Sequence, residues 1–334
     1  MKKTIALIYG GEGAEHDVSV MGYNNLRRVL DKDKYSIIDV FINRSGDWYI
    51  MRENESYPTF PVRMMGKQGF LKCGKIVSCD CAFPLLHGDM GEDGNIQGLL
   101  RSAGIPYVGE KTRVGSLTSD KSDTKLIARS LDIPTARWHV FRKNTDAHEA
   151  AGIAEENIGY PMFIKPTGLG SSVGASAVRS REDFFDAFKK VSADLMSDVL
   201  VEELITDKRE LEVAYINISG NIITTAPSEI ILGGTYGYDE KYKLGTKTAV
   251  CANVPEYVNQ TLQEYSRRLI TGIGLSSMSR IDFFLSCGKI MFNEINTMPG
   301  FTKDSLYLRM LDYRGISPID AIDALIDRAL TFGT

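Results

Sequence analysis

The chain has 334 residues, of which 43% are hydrophobic and 25% charged, a balance typical of folded globular proteins and remote from disorder. Its formal net charge of -4 supplies no basic field that could neutralise phosphates along a nucleic acid, so no nucleic-acid partner is expected. Five cysteines, Cys73, Cys79, Cys81, Cys251 and Cys287, lack the paired spacing of a zinc site or a disulfide framework, and read as free thiols in a reducing compartment.

At roughly 100 to 200 residues per domain, this length predicts two or three domains. The first apolar run reaches glycine at Gly10, too early for a signal peptide core or a membrane span, and reads as a core strand; no membrane association is expected. Helical spacing follows over residues 19–30, so the opening is strand, glycine turn, helix. Residues 36–42 and 79–86 have the length and apolarity of strands; a helical segment near 94–103 separates the second from a strand at 106–108. That alternation predicts a Rossmann-like α/β unit over residues 1–116, with a parallel sheet covered on both faces.

A second unit, 117–205, is expected to open with a helix over 117–131, capped by Ser119 or Asp120 and ended at Ile133-Pro134. Short strands at 163–165, 173–178 and 199–203, with a helix at 181–191, make it α+β. The third unit, 206–334, begins with a hairpin of 211–218 and 222–231 about Ser219-Gly220-Asn221. Residues 233–248, rich in glycine, charge and tyrosine and without periodicity, form a loop long enough to be functional. A helix over 258–273, strands at 279–285 and 290–296, and a final helix over 318–330 complete the chain.

Three stretches carry chemistry. On the two strands around Ser286-Cys287-Gly288-Lys289, period-2 alternation puts Arg280 with Asp282, and Glu294 with Asn296, each pair on one face. Asp282, Glu294 and Asn296 are hard oxygen donors of the kind magnesium uses beside substrate phosphates, although such a row can equally be a solvated face with a salt bridge from Arg280. Residues 165–174, KPTGLGSSVG, follow a strand and can bring amides and hydroxyls close to phosphate oxygens; the Walker spacing is absent, and a plain surface turn is the competing reading. The opening Gly10-Gly11-Glu12-Gly13 lacks the third glycine of a dinucleotide fingerprint, His16 standing in that register, which disfavours a nicotinamide cofactor; Glu15 sits in that turn, where open α/β sheets bind ligands.

The elements GAEHDVS, PLLHGDMGEDG, SDK, FIKPTGLGSSVG, VEELI, RELEV, DEKY, SRIDFF and FNEINTMPGFTKDS, in this order across nearly the whole chain, resemble the D-alanine–D-alanine ligases of the ATP-grasp superfamily. The resemblance implies a three-domain ATP-grasp fold, a cytoplasmic homodimer, ATP with two magnesium ions (manganese as a substitute), and ligation through an acyl phosphate. It implies that Lys121, Lys165, Ser172 and Lys241 contact the nucleotide phosphates, that Glu202, Glu203 and Ile205 form the adenine hinge, that Glu210 binds the ribose, and that Asp282, Glu294 and Asn296 hold the metal. It further implies that Glu15 binds the ammonium of the first D-alanine and is linked to Ser171 and Tyr242, with His87 in the same site. Ser305 and Leu306 would receive the carboxylate of the second amino acid, Arg280 and the Gly300 amide would form the oxyanion site, and 233–248 would close as a lid.

The chain departs from the commonest family pattern at Lys303-Asp304, Leu308 and Ala252, and the first of these leaves the acceptor open between D-alanine and D-serine. The competing readings are a D-Ala–D-Ser ligase, another ATP-grasp ligase, and a nucleotide-binding protein without catalysis. His139, His148, Trp48 and Trp138 lie outside these motifs and are expected to be surface or packing residues.

Overall fold

The computed structural model describes residues 2–53, 55–64, 66–168, 170, 173–231 and 247–333. Strand β1 (Lys3–Gly10) is buried over its last six residues and pairs in parallel with β2 (Tyr35–Ile42); helix α1 (His16–Val29) makes the crossover between them. Strands β3 (Trp48–Arg52) and β4 (Glu55–Pro58) extend β2 antiparallel, and β5 (Pro61–Met64), β6 (Lys67–Lys72) and β7 (Lys75–Ser78) form a separate antiparallel sheet. Strand β8 (Cys81–Pro84) returns parallel to β1, giving the order β4-β3-β2-β1-β8. The first sheet is therefore mixed rather than wholly parallel as the alternation predicts. The added strands β3 and β4 have five and four residues and bury only Ile50 between them, so they show little apolar periodicity for sequence reasoning to detect.

Helix α2 (Asn95–Ser102) is followed by α3 (Thr112–Ser119) and α4 (Lys121–Ser130). The helix expected within 117–131 is α4, capped by Asp120 as expected: its backbone is extended and its carboxylate accepts from the Ser122 amide at 2.8 Å, while the preceding α3 is not anticipated by the sequence pattern. Strands β9 (Trp138–Phe141), β10 (Met162–Pro166), β11 (Ser176–Val178) and β12 (Val199–Glu203) form an antiparallel sheet in the order β11-β10-β12-β9. Helices α5 (Ala147–Asn157) and α6 (Arg181–Lys189) cover one face of it, burying Ala150, Ala154, Phe184 and Phe188 against Ile164 and Val201.

The largest sheet joins β13 (Arg209–Ile218), β14 (Asn221–Thr224), β15 (Ser228–Ile231), β16 (Lys247–Ala249), β17 (Met278–Ser286) and β18 (Lys289–Asn296) in the order β16-β15-β13-β17-β18, with β14 on the far end of β13. The second arm of the expected hairpin, 222–231, is two strands parted around Pro227. Helices α7 (Glu256–Ile273), α8 (Leu306–Tyr313) and α9 (Pro318–Phe332) complete the fold. Ile5 and Leu7 of β1 share one buried cluster with Ala214 of β13, Met278 of β17, Leu311 of α8 and Leu325 of α9, which fixes the first sheet against the last. Val114 and Ala128 of α3 and α4 lie in the cluster of Leu211, Val213 and Ile281, so these two helices pack on the last sheet. No described helix is long and apolar enough to cross a membrane.

The parallel strands β1 and β8 stop at the same edge, and the loops leaving them open into the cleft. Gly10 makes the first turn with φ +99°, where an added Cβ would lie 2.0 Å from the Ile42 carbonyl oxygen; no other residue type fits.

Candidate active site

Two contiguous chambers, of about 320 Å³ and about 130 Å³, lie between the three larger sheets. The larger is lined by Glu15, His87, Asn296, Gly300, Ser305 and Leu306, the smaller by Lys165, Glu202, Glu203, Ile205, Glu210 and Asp282. Lys121, Gly170, Glu212, Arg280 and Glu294 border both. The residues expected at the amino acids and those expected at the nucleotide thus fall into separate chambers, and the expected oxyanion and phosphate groups stand between them. Ser171, Ser172, Lys241 and Tyr242, with most of the 233–248 loop, lie outside the described residues.

Strand register builds the wall between the chambers. Asp282 pairs directly with Glu212 on β13 and with Glu294 on β18, so three carboxylates from three strands stand in one row on one face. Arg280 is held over that row: Nε lies 2.8 Å from Asp282 Oδ1 and 3.2 Å from Glu212 Oε1, and Nη2 lies 2.6 Å from Asp282 Oδ2. Burial works against the Arg280 charge, and Asp282 and Glu212 outweigh it, leaving the pKa above the ordinary arginine value. Asn296 Nδ2 donates to Asp282 Oδ2 at 3.1 Å. The salt bridge foreseen as the bland alternative for this hairpin is therefore present, and among the described residues no three acidic, histidine or cysteine groups are gathered as a ready-made metal cage. Glu212, 2% exposed, escapes sequence reasoning because its place in the row depends on pairing between strands some 70 residues apart.

In the smaller chamber the buried Glu202 carboxylate is shared by two lysines, Lys125 Nζ at 2.6 Å from Oε1 and Lys165 Nζ at 2.6 Å from Oε2. Desolvation pushes the Glu202 pKa up, but Lys125 and Lys165 pull harder and bring it to about 2. A carboxylate depressed from 4.5 to about 2 contributes stability that is complete above its unfolded value and is lost as the pH falls through its folded value. Glu202→Gln is accordingly expected to flatten the loss of urea resistance between about pH 4.5 and about pH 2 relative to the parent; parallel curves would contradict the pairing. Glu203 lies 2.9 Å from Arg137 Nε and Glu210 lies 3.0 Å from Lys208 Nζ, both nearer the rim. Burial lowers the Lys121 pKa, partly offset by Glu294 at 3.9 Å; the Lys165 pKa is raised, because Glu202 and Glu294 together exceed its desolvation.

In the larger chamber Glu15 heads α1. A Cβ on Gly88 would come within 2.6 Å of Glu15 Oε2, and one on Gly170 within 3.2 Å, so two glycines admit this carboxylate to the cleft. His87 holds Nδ1 3.0 Å from the Met298 carbonyl oxygen, while its Nε2 is buried without a hydrogen-bond partner among the described residues. Glu92 accepts from the Gly88 amide at 3.1 Å and the Met298 amide at 3.0 Å, tying together the two loops that carry His87 and Gly300. Burial raises its pKa, His87 opposing. Ser305 stands at the N-terminus of α8 with its side chain off the helix, accepting from the Thr302 amide at 2.9 Å, so the first-turn amides of α8 are not capped by it. An added Cβ on Gly300 would meet Ser305 Oγ at 2.8 Å. His16 bonds the Gly11 carbonyl oxygen at 2.6 Å, a structural role, and His139 and His148 pack on Phe141 and Phe185.

A family model described as D-ala D-ala ligase N-terminus matches residues 4–110, and one described as D-ala D-ala ligase C-terminus matches residues 127–327. The chain is 34% identical to a D-alanine--D-alanine ligase of Streptococcus uberis, covering 98% of this chain and 96% of the relative, and 33% identical to one of Deinococcus radiodurans, covering 99% of each. Among solved structures, a D-alanine-D-alanine ligase from Coxiella burnetii superposes with a TM-score of 0.88 at 28% identity, over 98% of this chain and 94% of the other. The VanG D-Ala:D-Ser ligase from Enterococcus faecalis also gives 0.88, at 31% identity, over 98% and 100%.

Proposed function

The chain belongs to the D-alanine–D-alanine ligase family, and from that premise we propose that it is an ATP-dependent enzyme that joins two D-alanines to D-alanyl-D-alanine for peptidoglycan synthesis. The observation that supports this most is the shared wall: Arg280, Lys121 and Glu294 border both chambers, so a phosphoryl donor in one and an amino acid in the other would meet across them.

In this reading Glu15 fixes the ammonium of the first D-alanine, directing its carboxylate toward Lys121 and Arg280. Lys121 and Lys165 bind the phosphates and stabilise charge on the transferring group. A carboxylate oxygen takes the γ-phosphoryl, giving D-alanyl phosphate and ADP; the amine of the second D-alanine then attacks the carbonyl carbon, and phosphate leaves. Arg280 and the Gly300 amide hold the oxyanion of that tetrahedral intermediate, and the uncapped start of α8 at Ser305 and Leu306 receives the second carboxylate. The donor set suits magnesium, since Asp282 and Glu294 are direct cross-strand neighbours and Asn296 adds an amide, few protein oxygens of the kind that ion uses beside phosphates. Bound there, two magnesium ions would neutralise the charge of the triphosphate. Lid closure by 233–248 to exclude water, the division at 116/117 and 205/206, the cytoplasmic location and the homodimer belong to the same proposal.

The experiment is product analysis by mass after incubation with ATP, magnesium and D-alanine, alone and with D-serine or D-lactate added. D-alanyl-D-alanine as the dominant product is expected. A mixed D-Ala–D-Ser dipeptide would move the assignment to the acceptor named for the VanG relative, and no product at all would contradict the ligase reading.

A further inference from the structure

Lys125 belongs to none of the roles above. It sits one turn beyond Lys121 on the same face of α4, but is 1% exposed and lines neither chamber. Burying an ammonium where no ligand reaches it is costly unless it is paired, and an apolar side chain of similar length would fill the same space. Its Nζ is 2.6 Å from Glu202 Oε1, on the opposite side of the carboxylate from Lys165. Burial pulls the Lys125 pKa below the ordinary lysine value, and Glu202 pulls it back.

The three groups stand differently toward a phosphate that would enter the smaller chamber. Lys165 lines that chamber and would be within its reach, whereas Lys125 does not line it. With Lys165 as the only partner of Glu202, the pair would be neutral, and drawing the lysine toward a phosphate would strip a buried carboxylate of its counterion. With Lys125 behind it, the trio carries one net positive charge, and Glu202 keeps a partner wherever Lys165 points.

We propose that Lys125 is a positioning residue for nucleotide binding: by holding the far oxygen of Glu202 it leaves the charge of Lys165 available to the phosphates. The proposal rests on the reading of the smaller chamber as the nucleotide site. Lys125→Met is expected to raise the KM for ATP on the order of tenfold, with the KM for D-alanine within about twofold of the parent. Lys125→Arg should stay close to the parent. The decisive comparison is Lys125→Met combined with Glu202→Gln: removing the carboxylate as well restores the free charge of Lys165, so the KM for ATP should return to within about threefold of the parent. A merely structural lysine would give no such recovery, and a double variant worse than Lys125→Met, or an unchanged ATP KM in Lys125→Met, would overturn the proposal. Titration of the parent with ADP and magnesium checks the chamber separately, and absence of nucleotide binding there would overturn both readings.

Discussion

Replacing Arg280 with methionine is expected to lower the rate of dipeptide formation by on the order of 10²–10³, the usual consequence of deleting an oxyanion donor, while the KM for ATP changes little. The guanidinium is held by Asp282 through Nε and Nη2, and Nε also lies 3.2 Å from Glu212. In the proposed mechanism that anchoring would present it to the reacting carbonyl already oriented. The same anchoring adds a structural cost, because Arg280→Met leaves Asp282 and Glu212 without the cation that faces them, so melting curves must accompany the kinetics. Arg280→Lys separates the two effects. It keeps the charge but cannot reproduce the fork, so it should recover stability more fully than turnover. Turnover of Arg280→Met within about threefold of the parent would remove Arg280 from the mechanism.

Glu294→Gln should raise the magnesium concentration needed for half-maximal activity by about tenfold or more, because a charged hard donor becomes a neutral one. Glu294 also lies 3.9 Å from Lys121, whose pKa burial already lowers. Losing the carboxylate therefore removes one of the influences that hold Lys121 charged. Magnesium titration at saturating ATP reads the first effect, and the pH dependence of the KM for ATP reads the second, with the basic limb expected to move to lower pH in the variant. An unchanged magnesium requirement would exclude Glu294 as a ligand.

Much of the wall between the two chambers was legible because it is local. The β17–β18 hairpin shows period-2 alternation on both arms, and its turn uses Cys287 and Gly288, both at positive φ as a tight two-residue turn requires. Glu15 could be placed because the strand, glycine turn and helix around it are contiguous. Glu212 and Lys125 were not legible, for different reasons. Glu212 gains its meaning only from the register of β13 against β17, and Lys125 looks like any helical lysine, a residue type that is seldom buried. The Asp120 cap was legible, whereas α3 was hidden because it runs into α4 without an intervening loop. The short helix α8 was missed although Ser305 was singled out, since eight residues give too few turns for a periodic signal.

In the proposed mechanism one carboxylate oxygen of the first D-alanine is phosphorylated before the peptide bond forms. That oxygen must then leave with the phosphate. With D-alanine labelled with heavy oxygen in its carboxylate and unlabelled ATP, mass analysis of the inorganic phosphate released during dipeptide formation should find one labelled oxygen in each phosphate. Phosphate released without label, while ATP is consumed and D-alanyl-D-alanine accumulates, would contradict the acyl phosphate and with it the role assigned to the shared wall of the two chambers.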